Sequence, residues 1–134
     1  MTTVVCTSDL HEHLVDIPAC DLLLIAGDVS FSPKGDHAAK HAFLAGDFKR
    51  WLDRVPAEQI VLVAGNHDQS IEAWGVPDGL RCHYLQDAGL ELIPAGTDIV
   101  VAHGPPHGYG DRNSWAEHVG STAMTTASSA SNPN

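Results

Sequence analysis

Four short stretches of this chain, SDLHEH (8–13), AGDVS (26–30), AGNHD (64–68) and AHGPP (102–106), set aspartate, histidine or asparagine directly after a run rich in apolar residues. Asp9, His11 and His13 follow the first run, Asp28 the second, Asn66, His67 and Asp68 the third, and His103 the fourth. All are oxygen or nitrogen donors of the kinds that divalent cations take. Carboxylates gathered at one edge repel one another until a cation arrives, so the pattern points to metal chemistry. Each stretch taken alone also reads as a turn: Gly65 supplies backbone freedom, and Asn and Asp bond their own backbone. Four turns choosing donor residues independently is the poorer account.

Donors can converge only if regular elements deliver them to one place. Residues 3–7, 22–26, 60–63 and 99–102 are short apolar runs of the kind shown by strands covered on both faces. Open α/β sheets bind ligands at the carboxyl edge, where such strands stop and loops begin. Between the second and third runs, residues 36–55 read as a helix. Leu44, Phe48, Trp51, Leu52 and Val55 fall on one apolar stripe. Gly46 weakens that helix by about 1 kcal/mol relative to alanine, and Pro56 ends it. Strand, helix, strand is a parallel βαβ plan. Further on, residues 70–74 predict one or two helical turns, RCHYLQ (81–86) and AGLELIP (88–94) short strands, and residues 97–102 the last strand.

Length and charge narrow the class. The 134 residues suffice for one domain with its own core. Asp and Glu number 17 against 7 Lys and Arg, and no basic track exists to follow a nucleic-acid backbone, so a nuclease is disfavoured. Cys6, Cys20 and Cys82 are scattered and odd in number, which predicts buried reduced thiols rather than a disulfide framework or zinc ribbon. The apolar runs are too short to span a bilayer or to serve as a signal sequence, and a cytoplasmic location is the expectation. The Ser, Thr and Ala-rich segment 121–134 is expected to be a largely disordered tail behind a domain of residues 1–120.

In that order, SDLHEH, AGDVS, AGNHD and AHGPP resemble the motifs of the calcineurin-like metallophosphoesterase family, in its small bacterial and MPPED-type branch. The resemblance covers roughly residues 3–120. It implies an α/β fold, a sandwich of two sheets flanked by helices, here with an abbreviated second sheet. It implies too a two-metal phosphoesterase using Mn, Fe or Zn. Carried over by position, Asp9 and His11 bind the first ion, Asp28 bridges both, Asn66 and His103 bind the second, and His67 faces the scissile group. The residue types suit these roles. A carboxylate can hold two cations about 3.5–4 Å apart, the separation that clamps a phosphoryl group and turns a bridging water into hydroxide at neutral pH. A histidine beside them can protonate the leaving alkoxide. Asp68 is expected either to orient that imidazole or to stabilise its turn.

One departure bears on activity. The family's closing G-H-x-H motif occurs nowhere in the sequence. His107, four residues after His103, is the best placed substitute, followed by His13 and His118, while His37, His41 and His83 read as surface or packing residues. Two expectations follow: a phosphoesterase acting on a small phosphodiester or phosphomonoester, or a non-catalytic truncated relative that retains partial metal binding.

Overall fold

In the computed structural model, which describes residues 1–31, 36–85 and 97–125, the first three apolar runs become strands. β1 (Val4–Thr7), β2 (Cys20–Ala26), β3 (Ala57–Val63) and β4 (His83–Tyr84) form one sheet in the order β1-β2-β3-β4. All its pairings are parallel, with Cys6 beside Leu24, Ile25 beside Leu62, and Leu62 beside Tyr84. The chain divides into two units, Met1–Gln86 and Asp87–Asn134, and the sheet belongs wholly to the first.

The crossover between β2 and β3 is the expected helix. Asp36 caps it by accepting the Ala39 N–H at 3.0 Å. It runs through α1 (His37–Phe43), a π-helical stretch (Leu44–Phe48) and α2 (Lys49–Arg54). Gly46 falls within the π-helical stretch. Val55 turns to extended backbone before Pro56, the conformation a residue preceding proline prefers. The predicted stripe faces inward: Leu44, Phe48 and Leu52 are fully buried, and they pack with Leu23 and Ile25 of β2 and Ile60 and Leu62 of β3. Phe48 and Trp51 stack with ring centroids 5.7 Å apart, and Trp51 Nε1 donates to the Val15 carbonyl at 2.8 Å. Arg81 closes the helix end, its guanidinium donating to the carbonyls of Leu52, Val55 and Ala57.

Residues 70–74 fall in α3 (Gln69–Trp74), and β4 occupies part of the predicted strand over 81–86. AGLELIP lies outside the described residues. The thiol expectation needs correction at one position. Cys20 is buried, and burial pushes the half-buried Cys82 thiol up to about 11, but Cys6 is exposed on the edge strand β1.

The second unit departs further. The strand expected over residues 97–102 does not form, and Ile99 and Val100 are each 49% exposed. An apolar β-branched run becomes a strand only where a partner strand and a covering layer receive it. Among the described residues of this unit, pairing is limited to the isolated bridges Pro106↔Ser121 and Arg112↔His118, and 122–125 make one helical turn. Ser121 and Met124 are thus part of described structure, with Met124 buried. The class is α/β, a parallel four-stranded sheet with helices, in abbreviated form. Among the described residues no helix is long and apolar enough to cross a membrane.

Candidate metal centre

The three loops that leave the carboxyl ends of β1, β2 and β3 are fastened to one another. Past β1, the amides of Asp9, His11 and Glu12 donate to the carbonyls of Gly27, Asp28 and Val29 at 3.0, 3.0 and 2.8 Å. Buried Leu10 anchors this loop from within. Asp9, His11, Glu12 and Asp28 all hold positive φ, at 53, 45, 67 and 54°. Non-glycine residues reach that region at a cost of order 1–3 kcal/mol, and such strain concentrates at functional loops.

The third loop closes from β3. A Cβ on Gly65 would stand 2.1 Å from Asp28 Oδ1 and 2.4 Å from Asp28 N, so only glycine lets the two backbones approach this closely. The approach brings the His67 N–H to Asp28 Oδ1 at 2.8 Å. Asp28 is 3% exposed, and its Oδ2 lies 4.0 Å from Nε2 of both His11 and His67. These distances are too long for hydrogen bonds. The His11–Asp28 separation suits a shared cation, because two ligands bonding one ion at about 2.1 Å stand roughly 3–4 Å apart, while His67 Nε2 faces the same carboxylate without bonding it. The two imidazoles meet edge to face, 4.9 Å between centroids, and His11 Nδ1 is buried without a hydrogen-bond partner. Donor atoms of His11, Asp28 and His67 all lie within 4.8 Å of one another. An imidazole nitrogen and a carboxylate fit Zn, Fe or Mn.

Asp68 decides its own role. Buried at 1% exposure, its Oδ1 accepts the Ser30 N–H at 3.0 Å and Ser30 Oγ at 2.6 Å, and its Oδ2 accepts the N–H groups of Gly65 at 2.9 Å and Val29 at 3.3 Å. It therefore braces the β2 and β3 loops rather than orienting the His67 ring. Lys40, fully buried on α1, adds a second brace, with Nζ donating to the His67 carbonyl at 2.7 Å and to Gln69 Oε1 at 3.2 Å. Sequence reading missed Lys40. Its signal was position, four residues before Leu44 on the buried stripe.

Of the residues singled out by sequence, the fold of the first unit thus gathers His11, Asp28 and His67. Asp9 and Asn66 are exposed on the same loops. Asp9 accepts from Ser8 Oγ, and the Asn66 carbonyl accepts from Gln69 Nε2 at 2.8 Å. His103 belongs to the second unit and is half-buried there. His13 is exposed, His37 and His41 lie beside Trp74, and His83 sits on β4. His107 and His118 meet each other and Asp111, an aspartate that the sequence did not bring forward.

A family model for calcineurin-like phosphoesterases matches residues 2–125. The chain belongs to that family. Members use divalent metals, and the donor set at the sheet edge fits that chemistry. Among curated relatives, a UPF0046 protein of Caenorhabditis elegans is 26% identical over 160 residues, covering 81% of this chain and 53% of that protein. The human metallophosphoesterase domain-containing protein 1 is 23% identical over 171 residues, covering 82% of this chain and 50% of its own length. The probable rhamnogalacturonate lyase C of Emericella nidulans is 31% identical over 156 residues, but the match takes in only 14% of that protein. The chain spans about half the length of the first two relatives.

Proposed function

We propose that this family member is a metal-dependent phosphoesterase acting on a small phosphodiester or phosphomonoester. The observation that carries the reading is the meeting of His11 and His67 on one oxygen of buried Asp28, each Nε2 at 4.0 Å. Asp9, His11, Asp28, Asn66 and His103 are the proposed ligands for Mn, Fe or Zn, with Asp28 shared between two ions. When bound, such ions supply Lewis-acid activation of water and offset charge on the phosphoryl group.

The chain's own residues do the rest. The His67 backbone is held at both ends, its N–H on Asp28 and its carbonyl on Lys40 Nζ, which leaves the imidazole only its side-chain torsions. From there Nε2 delivers a proton to the departing alkoxide as the ester bond breaks. The acidic balance of 17 against 7 favours a small ester over a long nucleic-acid backbone.

A second reading, a non-catalytic relative with partial metal binding, draws on the absence of G-H-x-H from the sequence. Hydrolysis of bis-p-nitrophenyl phosphate with and without Mn²⁺ separates the two. An enzyme shows metal-dependent turnover that His67→Ala lowers roughly a hundredfold, with a larger loss on alkyl esters, whose leaving groups need the proton more. Parental rates in both Asp28→Ala and Asn66→Ala proteins would assign the activity to a contaminant.

A further inference from the structure

The second unit contains a donor cluster of its own. His107, Asp111 and His118 each offer one ligand atom, and the three lie within 4.8 Å of one another. His118 Nδ1 stands 2.7 Å from Asp111 Oδ1, a hydrogen bond whose proton an ion entering the cluster would displace. The rings of His107 and His118 lie 4.8 Å apart with their planes inclined by 34°.

Backbone geometry assembles this cluster. Gly108 and Gly110 hold φ of 87 and 65°, values that glycine adopts without strain and that turn the chain between His107 and Asp111. The bridge Arg112↔His118 returns the third residue. Val119 N donates to the Asp111 carbonyl, His107 N to that of Ser121 and Ser121 N to that of Pro105, each at 3.0 Å. Asp111 is 2% exposed. Its burial alone would raise the carboxyl, but the N–H groups of Gly108 and Gly120 and the neighbouring His118 outweigh it and hold the group well below the usual carboxylate range.

Among the described residues of the same unit apolar burial is sparse. Among its described residues Met124 is the buried apolar side chain, whereas Tyr109, Trp115 and Val119 are 69, 81 and 61% exposed. Small units that cannot build a sufficient core commonly depend on a staple such as a metal ion. Two imidazoles and a carboxylate make a donor set that selects divalent transition ions over Mg²⁺ or Ca²⁺.

We propose that His107, Asp111 and His118 form a mononuclear site for a divalent transition ion, which staples the 106–121 loop of the second unit. The site is separate in its ligands from the centre proposed at Asp28, and it stands whether or not that centre is catalytic.

The test is a Co²⁺ titration of the metal-free full chain, read by visible d–d absorption and by metal content after equilibrium dialysis. It is run in the Asp28→Asn background, so that ions depending on Asp28 are removed. The expected result is one retained equivalent, bound at least about tenfold more weakly after either His107→Ala or His118→Ala. Amide exchange at His107, Val119 and Ser121 should slow on Co²⁺ addition and not do so in His107→Ala. That variant keeps the Asp111–His118 contact, so a lost ion cannot be blamed on a lost brace. The proposal is overturned if the Asp28→Asn protein binds no Co²⁺, or if both histidine variants bind as tightly as their parent. It is equally overturned if His107→Ala releases an ion only when Asp28 is intact, because His107 would then serve the first centre. Equal metal content in parent and Asp28→Asn proteins, with His107 still required, sinks the Asp28 centre and supports this one.

Discussion

The two units hold donor side chains in place by different means. In the first, Asp28, His11 and His67 stand at the ends of parallel strands whose flanks are apolar, and fully buried Leu23, Ile25, Phe48 and Leu52 secure those strands. In the second, backbone bridges and a buried carboxylate keep His107 and His118 together, and among the described residues of that unit Met124 is the buried apolar side chain. A sheet over a core positions donors through many weak contacts, so one loop residue can change without losing the frame. A loop gathered around Asp111 depends on a few hydrogen bonds, each of which matters more.

That difference predicts a ranking of effects. The largest belongs to Phe48→Ala, which should cost the first unit about 3–5 kcal/mol, read as a shift of the denaturation midpoint with no change in slope. A loss below about 1 kcal/mol would mean that the core is not what secures the donors. Next comes metal linkage. A cation at hundredfold excess over its dissociation constant should add about 2.7 kcal/mol to the first unit, and Asp28→Asn should lose most of it. Coincident thermal scans of the parent with and without Mn²⁺ would leave the Asp28 site without a function.

A smaller effect should appear in acid. Because the folded Asp111 carboxyl lies below its usual range, the unfolded chain protonates first as pH falls through about 3.9. The stabilisation from this group is thus complete above that pH and drains away as pH drops toward the folded value. Pepsin should cut the 106–121 loop faster at pH 2 than at pH 4.5 relative to sites in β2 and β3, and Asp111→Asn should be cut readily at both. A ratio that does not move with pH would remove Asp111 as the hub of that loop. The smallest effect is expected at Trp115, 81% exposed, where alanine should change stability by no more than about 0.5 kcal/mol. A larger loss in the same denaturation experiment would show that the second unit keeps an apolar contact that its exposure hides.

Much of the first unit could be read from residues in order. The spacing of Leu44, Phe48, Trp51, Leu52 and Val55 declared a helix with one buried face, and Pro56 marked its end. Uninterrupted apolar runs declared β1, β2 and β3, and the donors beyond them declared the edge at which they meet. The same rule failed at residues 97–102, where an equally apolar run forms no strand. A run states what a segment is able to do in a sheet, but a partner strand must be present for it to happen.

What the residues determined by themselves is therefore local: periodicity, helix termination, strand propensity, and the chemical types delivered to the loops. Tertiary structure decided the partnerships. Asp68 became a brace because Ser30, 38 positions away, presents its N–H and hydroxyl to it. Lys40 became a buried strut because the His67 carbonyl, 27 positions away, accepts its ammonium. His107, Asp111 and His118 became a cluster because two left-handed glycines and a backbone bridge bring them together. Such pairings rest on distances across the folded chain, and a burial or hydrogen bond that requires a distant partner leaves no mark in the spacing of neighbours.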